Sequence, residues 1–211
     1  MKIENRIGKI IEILNNTYPH VKTQLNHATP FQLLTATILS AQCTDTQVNK
    51  VTETLFKTLK NPEDFVEIEQ SLLEDLIRTT GYYKNKAKNL KNCAKVLMEK
   101  YGGVVPDNLT DLVSLPGVGR KTANVVLGSA FGIPGIVVDT HVSRISQRLN
   151  LTKNKNPVKI EFDLMEIISK EEWDGFSLRL IYFGRQYCRA RKPLCKDCPL
   201  YTLCEYPEKT A

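Results

Sequence analysis

Apolar residues recur at helical spacing along most of this chain. Ile7, Ile10 and Leu14 form one such stripe near the start. Residues 31–40 are apolar almost all round, which predicts a buried central helix beginning at Pro30. The one short β-branched run, at 136–138, stands alone and is too short for a sheet. The pattern therefore predicts an all-α fold of about ten helices joined by short loops.

A glycine-rich stretch at 115–126 interrupts the helical pattern. It predicts a tight turn that opens an apolar helix. Gly117 and Gly119 lack a Cβ, so both can take a positive φ and allow another backbone to come close. Backbone N–H groups at such a turn attract phosphate, and Arg120 and Lys121 follow in the first helical turn. This is the shape of a helix-hairpin-helix, which holds a nucleic-acid backbone without reading bases.

Composition adds only weak constraints on the partner. The chain has 211 residues, a net charge of +6 and a pI of about 8.9, which permits a nucleic-acid partner without proving one. The first residues lack the apolar core of a signal peptide, and no apolar run is long enough to cross a bilayer. We expect a monomer in a reducing prokaryotic cytoplasm, acting at the nucleoid and away from membranes.

Four of the six cysteines are crowded near the C-terminus, at Cys188, Cys195, Cys198 and Cys204. Structural zinc sites usually show two closely spaced pairs, which this spacing lacks. A [4Fe–4S] cluster takes one thiolate per iron and tolerates uneven loops, so the spacing favours that cluster. Zinc and disulfides remain the alternatives. The other two, at positions 43 and 93, are interpreted as buried apolar residues.

The loop between the first two of these cysteines carries three cations, Arg189, Arg191 and Lys192. A short loop held at both ends by a cluster would present these charges rigidly, which favours contact with phosphate. The alternative interpretation is a solvated run of charge.

Lys121 and Asp139 are the candidate catalytic pair. A lysine in a first helical turn is often merely solvated, but its amine can also act as a Schiff-base nucleophile. Asp139 precedes a predicted helix and is expected either to cap it or to act as a carboxylate beside the lysine. The two roles of Asp139 are compatible, because a capping carboxylate is held in one orientation.

These residues together resemble the endonuclease III family of DNA glycosylase/AP lyases. The resemblance runs from end to end and includes Ser40-Ala41-Gln42, the stretch 80–87, the hairpin with Lys121, Val138-Asp139-Thr140-His141 and the four spaced cysteines. It implies two all-α lobes with the DNA site in the cleft between them. Residues 22–132 would form a six-helix barrel, and residues 1–21 and 133–211 would form the domain that carries a [4Fe–4S] cluster.

The resemblance also implies a reaction. Lys121 would attack C1′ of a damaged nucleotide, expel an oxidised or ring-saturated pyrimidine and nick the strand by β-elimination, assisted by Asp139. Gln42 would enter the gap left by the flipped base, and Tyr82 would serve as the wedge, where members often have leucine. The partner would be double-stranded DNA with damaged bases or abasic sites, and the function base excision repair.

Two other functions fit part of the sequence. A mismatch or alkylbase glycosylase of the same superfamily shares the hairpin and differs in its base pocket. An adenine-specific member would have serine at the Lys121 position and a glutamate before the Gln42 loop, and residues 34–37 contain no glutamate. A non-catalytic iron–sulfur DNA-binding protein would need the hairpin and the cations but neither Lys121 nor Asp139.

Overall fold

The computed structural model describes residues 3–209, and no β-strand occurs among them. The all-α fold class predicted from the sequence is confirmed, with eleven α-helices in the described residues. The predicted domain ranges also include residues 1, 2, 210 and 211, which lie outside this description. The helices are α1 Ile3–Thr17, α2 Pro30–Leu39, α3 Asp45–Thr58, α4 Pro62–Glu67, α5 Gln70–Ile77, α6 Tyr83–Tyr101, α7 Leu109–Ser114, α8 Arg120–Phe131, α9 Thr140–Arg148, α10 Pro157–Ile167 and α11 Trp173–Gln186.

The chain divides into two compact units with separate cores. The central unit is Thr23–Ile133, and the terminal unit joins the residues up to Lys22 with those from Pro134 onward. That these units are a DNA-gripping barrel domain and a cluster domain stays a prediction.

Helix α2 forms the centre of the core in the central unit. Eight of its ten residues are buried, in agreement with the apolar run in the sequence. Helices α6 and α8 both pack against it. Pro30 lies in the first turn of α2, and the Thr29 side chain accepts from the Gln32 backbone N–H, so the chain enters this helix at a fixed point.

The terminal unit has a core of its own. Helix α11 packs against both α9 and α1. The fully buried aromatic rings Phe176 and Phe183 belong to α11 and lie within this core. Cys188 follows two residues after the end of α11, so the same helix that fills the core also positions the first of the clustered cysteines.

Most helix starts carry the cap that their sequence predicts. Thr44 caps α3, and Asn61 caps α4 in a reciprocal capping box with Asp64. Helix α5 differs: Ser71 is a favoured N-cap residue type, yet the helix starts at Gln70 and has no side-chain cap. Within residues 3–209, the structure contains no helix of the length and apolar character that a membrane span needs.

Candidate active site

The glycine hairpin lies between α7 and α8 in the central unit. Gly117 has a φ of +79°, and a Cβ added there would lie 2.8 Å from the Asn89 Cβ on α6. The positive φ and the lack of space together mean that any residue other than glycine would force the backbone to move here. Gly119 differs from the expectation that both glycines use a positive φ. Its φ is −92° and ψ 171°, and no atom lies within 4 Å of the position that a Cβ would take.

Gly119 is the N-cap residue of α8, and no side chain caps this helix. The N-cap residue therefore supplies no side-chain acceptor to the first turn of α8, and an anion is favoured at such a helix end. Arg120 and Lys121 are its first two residues; Lys121 is exposed and Arg120 half-buried. Buried residues further along α8, including Ala123, fix the helix against the core, so the position of the Lys121 amine is constrained at its base.

Asp139 caps α9 in the terminal unit. Its Oδ1 accepts from the backbone N–H groups of His141 and Val142, each at 2.8 Å. The carboxylate is half-buried and oriented by these two bonds, while Oδ2 takes no part in the cap. The capping interpretation of Asp139 is thereby confirmed, and its catalytic role stays a prediction.

The extended segment before Asp139 is anchored on α11. The Gly135 N–H donates to Asp174 Oδ1 at 3.1 Å, and the Val137 N–H donates to Ser177 Oγ at 3.0 Å. Ile136 is fully buried between these two bonds. The short β-branched run therefore replaces sheet pairing with side-chain acceptors from a helix, and it delivers Asp139 at a fixed place.

Gln42 and Tyr82 share an unusual backbone conformation in the central unit. Their φ angles are +54° and +50°, and both side chains are exposed, Tyr82 by 65%. Non-glycine residues held in this region are uncommon and cluster at functional sites. The adjacent Tyr83 is less exposed than Tyr82, because its ring packs against the core, with the Arg78 guanidinium 5.1 Å from the ring centroid.

The four clustered cysteines line one cavity in the terminal unit. Its walls include the apolar side chains of Ile145, Leu149, Phe183 and Leu200. All six cysteines of the chain lie in the described residues and none forms a disulfide there. Nor do three His, Cys, Asp or Glu side chains within residues 3–209 converge closely enough to hold one metal ion. The four thiols therefore share a cavity without closing on a single point.

Hydrogen bonds from Arg148 on α9 hold the backbone of the cationic loop. The Arg148 guanidinium donates to the carbonyls of Arg189 at 2.8 Å and Ala190 at 3.1 Å, and to the Cys188 Sγ at 3.3 Å. Lys192 has a φ of +50°, so the loop contains a third strained non-glycine residue. The side chains of Arg189, Arg191 and Lys192 are all exposed. The loop is thus fixed through its backbone while its charges face outward.

Comparison with known proteins identifies the family. Residues 35–170 match the HhH-GPD superfamily of base excision DNA repair proteins. The chain is 49% identical to endonuclease III of Synechocystis sp., over 95% of this chain and 92% of that protein. It is 47% identical to endonuclease III of Bacillus subtilis, over 94% of this chain and 91% of that protein. A solved structure of a trapped endonuclease III–DNA covalent intermediate, an estranged-adenine complex, matches with a TM-score of 0.94 at 44% identity, covering 98% of this chain and 97% of that one.

The chain belongs to the endonuclease III family. The function expected from the sequence is confirmed: the chain is a bifunctional DNA glycosylase/AP lyase for oxidised pyrimidines in base excision repair. The relatives with these identities are bacterial. Their similarity extends over nearly the whole of both chains.

Three side chains of this endonuclease III-family chain support the site and were missed in the sequence. Asp174 anchors the segment before Asp139, Arg148 holds the cationic loop, and Lys86 is a buried lysine between two loops. The burial of Lys86 could have been predicted from its spacing: it lies four residues before Leu90 and seven before Cys93, on the apolar stripe of α6. A lysine on such a stripe needs buried acceptors. Asp174 and Arg148 bind backbone groups far away in sequence, which no local pattern indicates.

Proposed function

We propose that this chain acts on duplex DNA containing an oxidised or ring-saturated pyrimidine, with Lys121 as nucleophile and Asp139 as its carboxylate partner. The observation that carries the assignment of Lys121 is its place: an exposed amine in the first turn of a helix that has no side-chain cap, directly after a glycine hairpin. Phosphate bound at those N–H groups would fix how far along the strand the amine can reach.

The proposed reaction begins with the neutral amine of Lys121. Its nitrogen forms a bond to C1′ as the bond from C1′ to the base breaks, and the base leaves with the electron pair and takes up a proton. Loss of the lysine proton and opening of the sugar give a Schiff base. Removal of a C2′ proton then expels the 3′ phosphate by β-elimination and nicks the strand.

Asp139 contributes charge at the sugar in this proposal. Breaking the bond to the base builds positive charge on the sugar, and a carboxylate offsets it best when it is already oriented and partly withdrawn from water. The two cap bonds orient Asp139, and the anchored segment before it limits its motion. The same carboxylate can accept the proton of the attacking amine.

Gln42 and Tyr82 are proposed to hold the gap that the flipped base leaves. Unstacking a base costs a few kcal/mol, less for a damaged one, and a side chain that enters the stack offsets part of it. Their exposure and left-handed backbones support this role, because strained residues persist where the surrounding structure holds them for a purpose. An exposed tyrosine can stack on the neighbouring bases as a leucine cannot.

Two surfaces are proposed to grip phosphate. One is the hairpin, where Gly117 sets the turn, Gly119 leaves open space at the helix end and Arg120 adds charge. The other is the loop that carries Arg189, Arg191 and Lys192. Both surfaces would contact the DNA backbone, and such contacts position DNA without selecting a sequence.

The cysteine cavity fits a [4Fe–4S] cluster better than zinc. Four thiols line one apolar-walled cavity but do not converge on a single ion, as a multi-iron cluster requires. Cys188, Cys195, Cys198 and Cys204 would hold it, and the group would supply redox and structural chemistry but no hydrolytic step. The Arg148 bond to the Cys188 sulfur is the kind of contact that stabilises a cluster thiolate. A site built on four thiolates supports the proposal that the protein works in a reducing cytoplasm.

Borohydride trapping tests the assignment of Lys121. Reduction of the Schiff base on DNA with an abasic site should link the parent protein covalently to the strand, and Lys121→Gln should abolish the product. Lys84→Gln is a matched control, because Lys84 is an exposed lysine in the first turn of another helix of the same unit. Trapping of Lys121→Gln at the parental level would disprove the mechanism, and a non-catalytic binder would trap in neither form.

A further inference from the structure

Lys86 is an almost fully buried lysine of the central unit that the reaction above does not use. It lies on α6 and only 4% of it is exposed. Its Nζ donates to the carbonyl oxygens of Leu39 and Thr80, each at 2.8 Å. Burial lowers the pKa of Lys86, and the nearby Cys43 thiol partly opposes this shift. Keeping an ammonium here is costly unless it is hydrogen-bonded, and the two carbonyls accept from two of its three N–H donors.

The two acceptors stand where two loops begin. Leu39 is the last residue of α2, and its carbonyl is among those that a helix end leaves without an intrahelical partner. Thr80 is the last residue of the 3-10 turn Arg78–Thr80. Gln42 follows three residues after Leu39, and Tyr82 follows two residues after Thr80. Lys86 therefore joins the starting points of the two loops that carry the proposed gap residues.

Lys86 also holds the second loop directly. Its backbone N–H donates to the Tyr82 carbonyl at 3.1 Å, so one residue contacts both ends of the turn around Gly81. The two acceptor oxygens lie at equal distance from one nitrogen and so cannot be farther apart than twice 2.8 Å. A second link between the two chain segments joins exposed groups, Gln47 Nε2 and Thr79 Oγ1, at 2.8 Å. Because a buried charged bond is stronger than an exposed neutral one, the ammonium is the stronger of these two links.

We propose that Lys86 is a positioning residue for base eversion: its ammonium sets the separation of Gln42 and Tyr82 so that both enter the same gap in the stack. The inference rests on the proposed roles of those two residues. Gln42 and Tyr82 are both held with positive φ, so each would return to ordinary backbone geometry if its loop were released. One cation bound to both loop starts prevents this and links the two side chains.

Lys86→Met tests the proposal, because methionine fills similar volume and donates no hydrogen bond. We expect excision of a damaged pyrimidine in single turnover to fall by about 10- to 100-fold, as displacement of a positioned group by about 1 Å does. Cleavage of a preformed abasic site should fall by about threefold or less, because no base must leave the stack. A merely structural lysine would lower both activities together.

Lys91→Met is the matched control. Lys91 is on the same helix and its Nζ also donates to two backbone carbonyls, those of Val66 and Ile68, which belong to neither gap loop. This variant also removes an ammonium that links backbone carbonyls, and it should keep the parental ratio of base excision to abasic-site cleavage. An equal change of that ratio in both lysine variants would overturn the proposal.

A double-mutant cycle separates this inference from the function on which it rests. In a Gln42→Ala, Tyr82→Ala background, Lys86→Met should add little further loss, because the groups that it positions are gone. If the double alanine variant keeps full excision, the proposed gap roles are wrong. If that variant is impaired but Lys86→Met is not, or if the losses add, only the positioning role is wrong.

Folding of the variants is followed by the helical circular dichroism signal. If Lys86→Met loses that signal, Lys86→Gln takes its place, since its amide can still donate two hydrogen bonds but carries no charge and has its nitrogen one atom closer to the backbone. An intermediate loss of excision with unchanged abasic-site cleavage is expected for Lys86→Gln. Loss of the helical signal in both variants would assign Lys86 to the stability of the fold and overturn the positioning role.

Discussion

Alanine at Gly117 and alanine at Gly119 should have opposite consequences, although the two glycines are separated by a single residue. At Gly117 an alanine must adopt a φ of +79°, which costs about 1–2 kcal/mol. Its Cβ would also stand 2.8 Å from the Asn89 Cβ, an atom joined directly to the backbone of α6. Relieving that overlap costs about 1–3 kcal/mol more. Gly117→Ala should therefore lower the free energy of unfolding by about 2–5 kcal/mol.

At Gly119 the same change meets neither obstacle. The backbone is extended there, and no atom lies within 4 Å of the new Cβ. Reduced freedom of the unfolded chain favours alanine by about 0.4–1 kcal/mol, and the poorer capping by alanine opposes it by a similar amount. The free energy of unfolding should change by less than about 0.5 kcal/mol. The open space matters only when a DNA backbone occupies it.

Denaturant unfolding and DNA binding, both measured on Gly117→Ala and Gly119→Ala, test these expectations. Gly119→Ala should bind duplex DNA about 10- to 100-fold more weakly, because loss of one charge-assisted hydrogen bond costs about 1.5–3 kcal/mol. Its log–log salt slope should become shallower by about one unit. Parental affinity of Gly119→Ala would refute the phosphate grip at α8, and parental stability of Gly117→Ala would refute the steric argument.

Three further predictions concern the terminal unit. Asp139→Asn keeps a capping oxygen, so stability should change by less than about 1 kcal/mol while base excision falls about 100-fold or more; equal excision by both forms would leave Asp139 as a cap alone. Burial raises the pKa of Asp174 against the opposing Gly135 bond, so its stabilising contribution is present at acidic pH and lost as pH rises through that pKa. Asp174→Asn should thus be the more stable form in denaturant at pH 7, with an advantage that disappears below the ordinary carboxyl pKa of about 3.9; a constant advantage would contradict this. The purified protein should show a broad absorption band at about 400 nm and contain about four iron atoms per chain. Bound zinc in a protein without that band would exclude the cluster.

The helices were predictable because their signals are local. An apolar stripe, a proline in the first turn of α2 and the caps at Thr44 and Asn61 each act within a few residues, and the structure retains them. Gly117 was predictable for the same reason, since a turn before a helix commonly requires a positive φ. The extended backbone of Gly119 was not predictable, because Gly117, two residues earlier, already makes the turn and only packing reveals the open space beside Gly119.

The residues that hold the site in place make contacts that form only when the chain folds. Asp139 can be recognised as a cap from the residues that follow it, but its placement depends on Ser177 and Asp174, some forty residues later. These side chains replace the sheet partners that an isolated extended segment lacks. A sequence pattern can therefore indicate that a carboxylate precedes a helix, whereas its orientation is set by donors and acceptors that the pattern does not contain.

For Lys86, one part of the result follows from a local sequence pattern and the other part only from the folded structure. Its place on the apolar stripe of α6 can be read from the sequence, and a buried ammonium needs hydrogen-bond acceptors of some kind. Which carbonyls they are could not be deduced, because Leu39 lies 47 residues away. These acceptors are what suggest a function for Lys86. The loops that begin at Leu39 and Thr80 carry Gln42 and Tyr82, the two exposed non-glycine residues of the central unit with a positive φ. A charge placed among apolar positions is thus a reason to ask which segments its donors hold together.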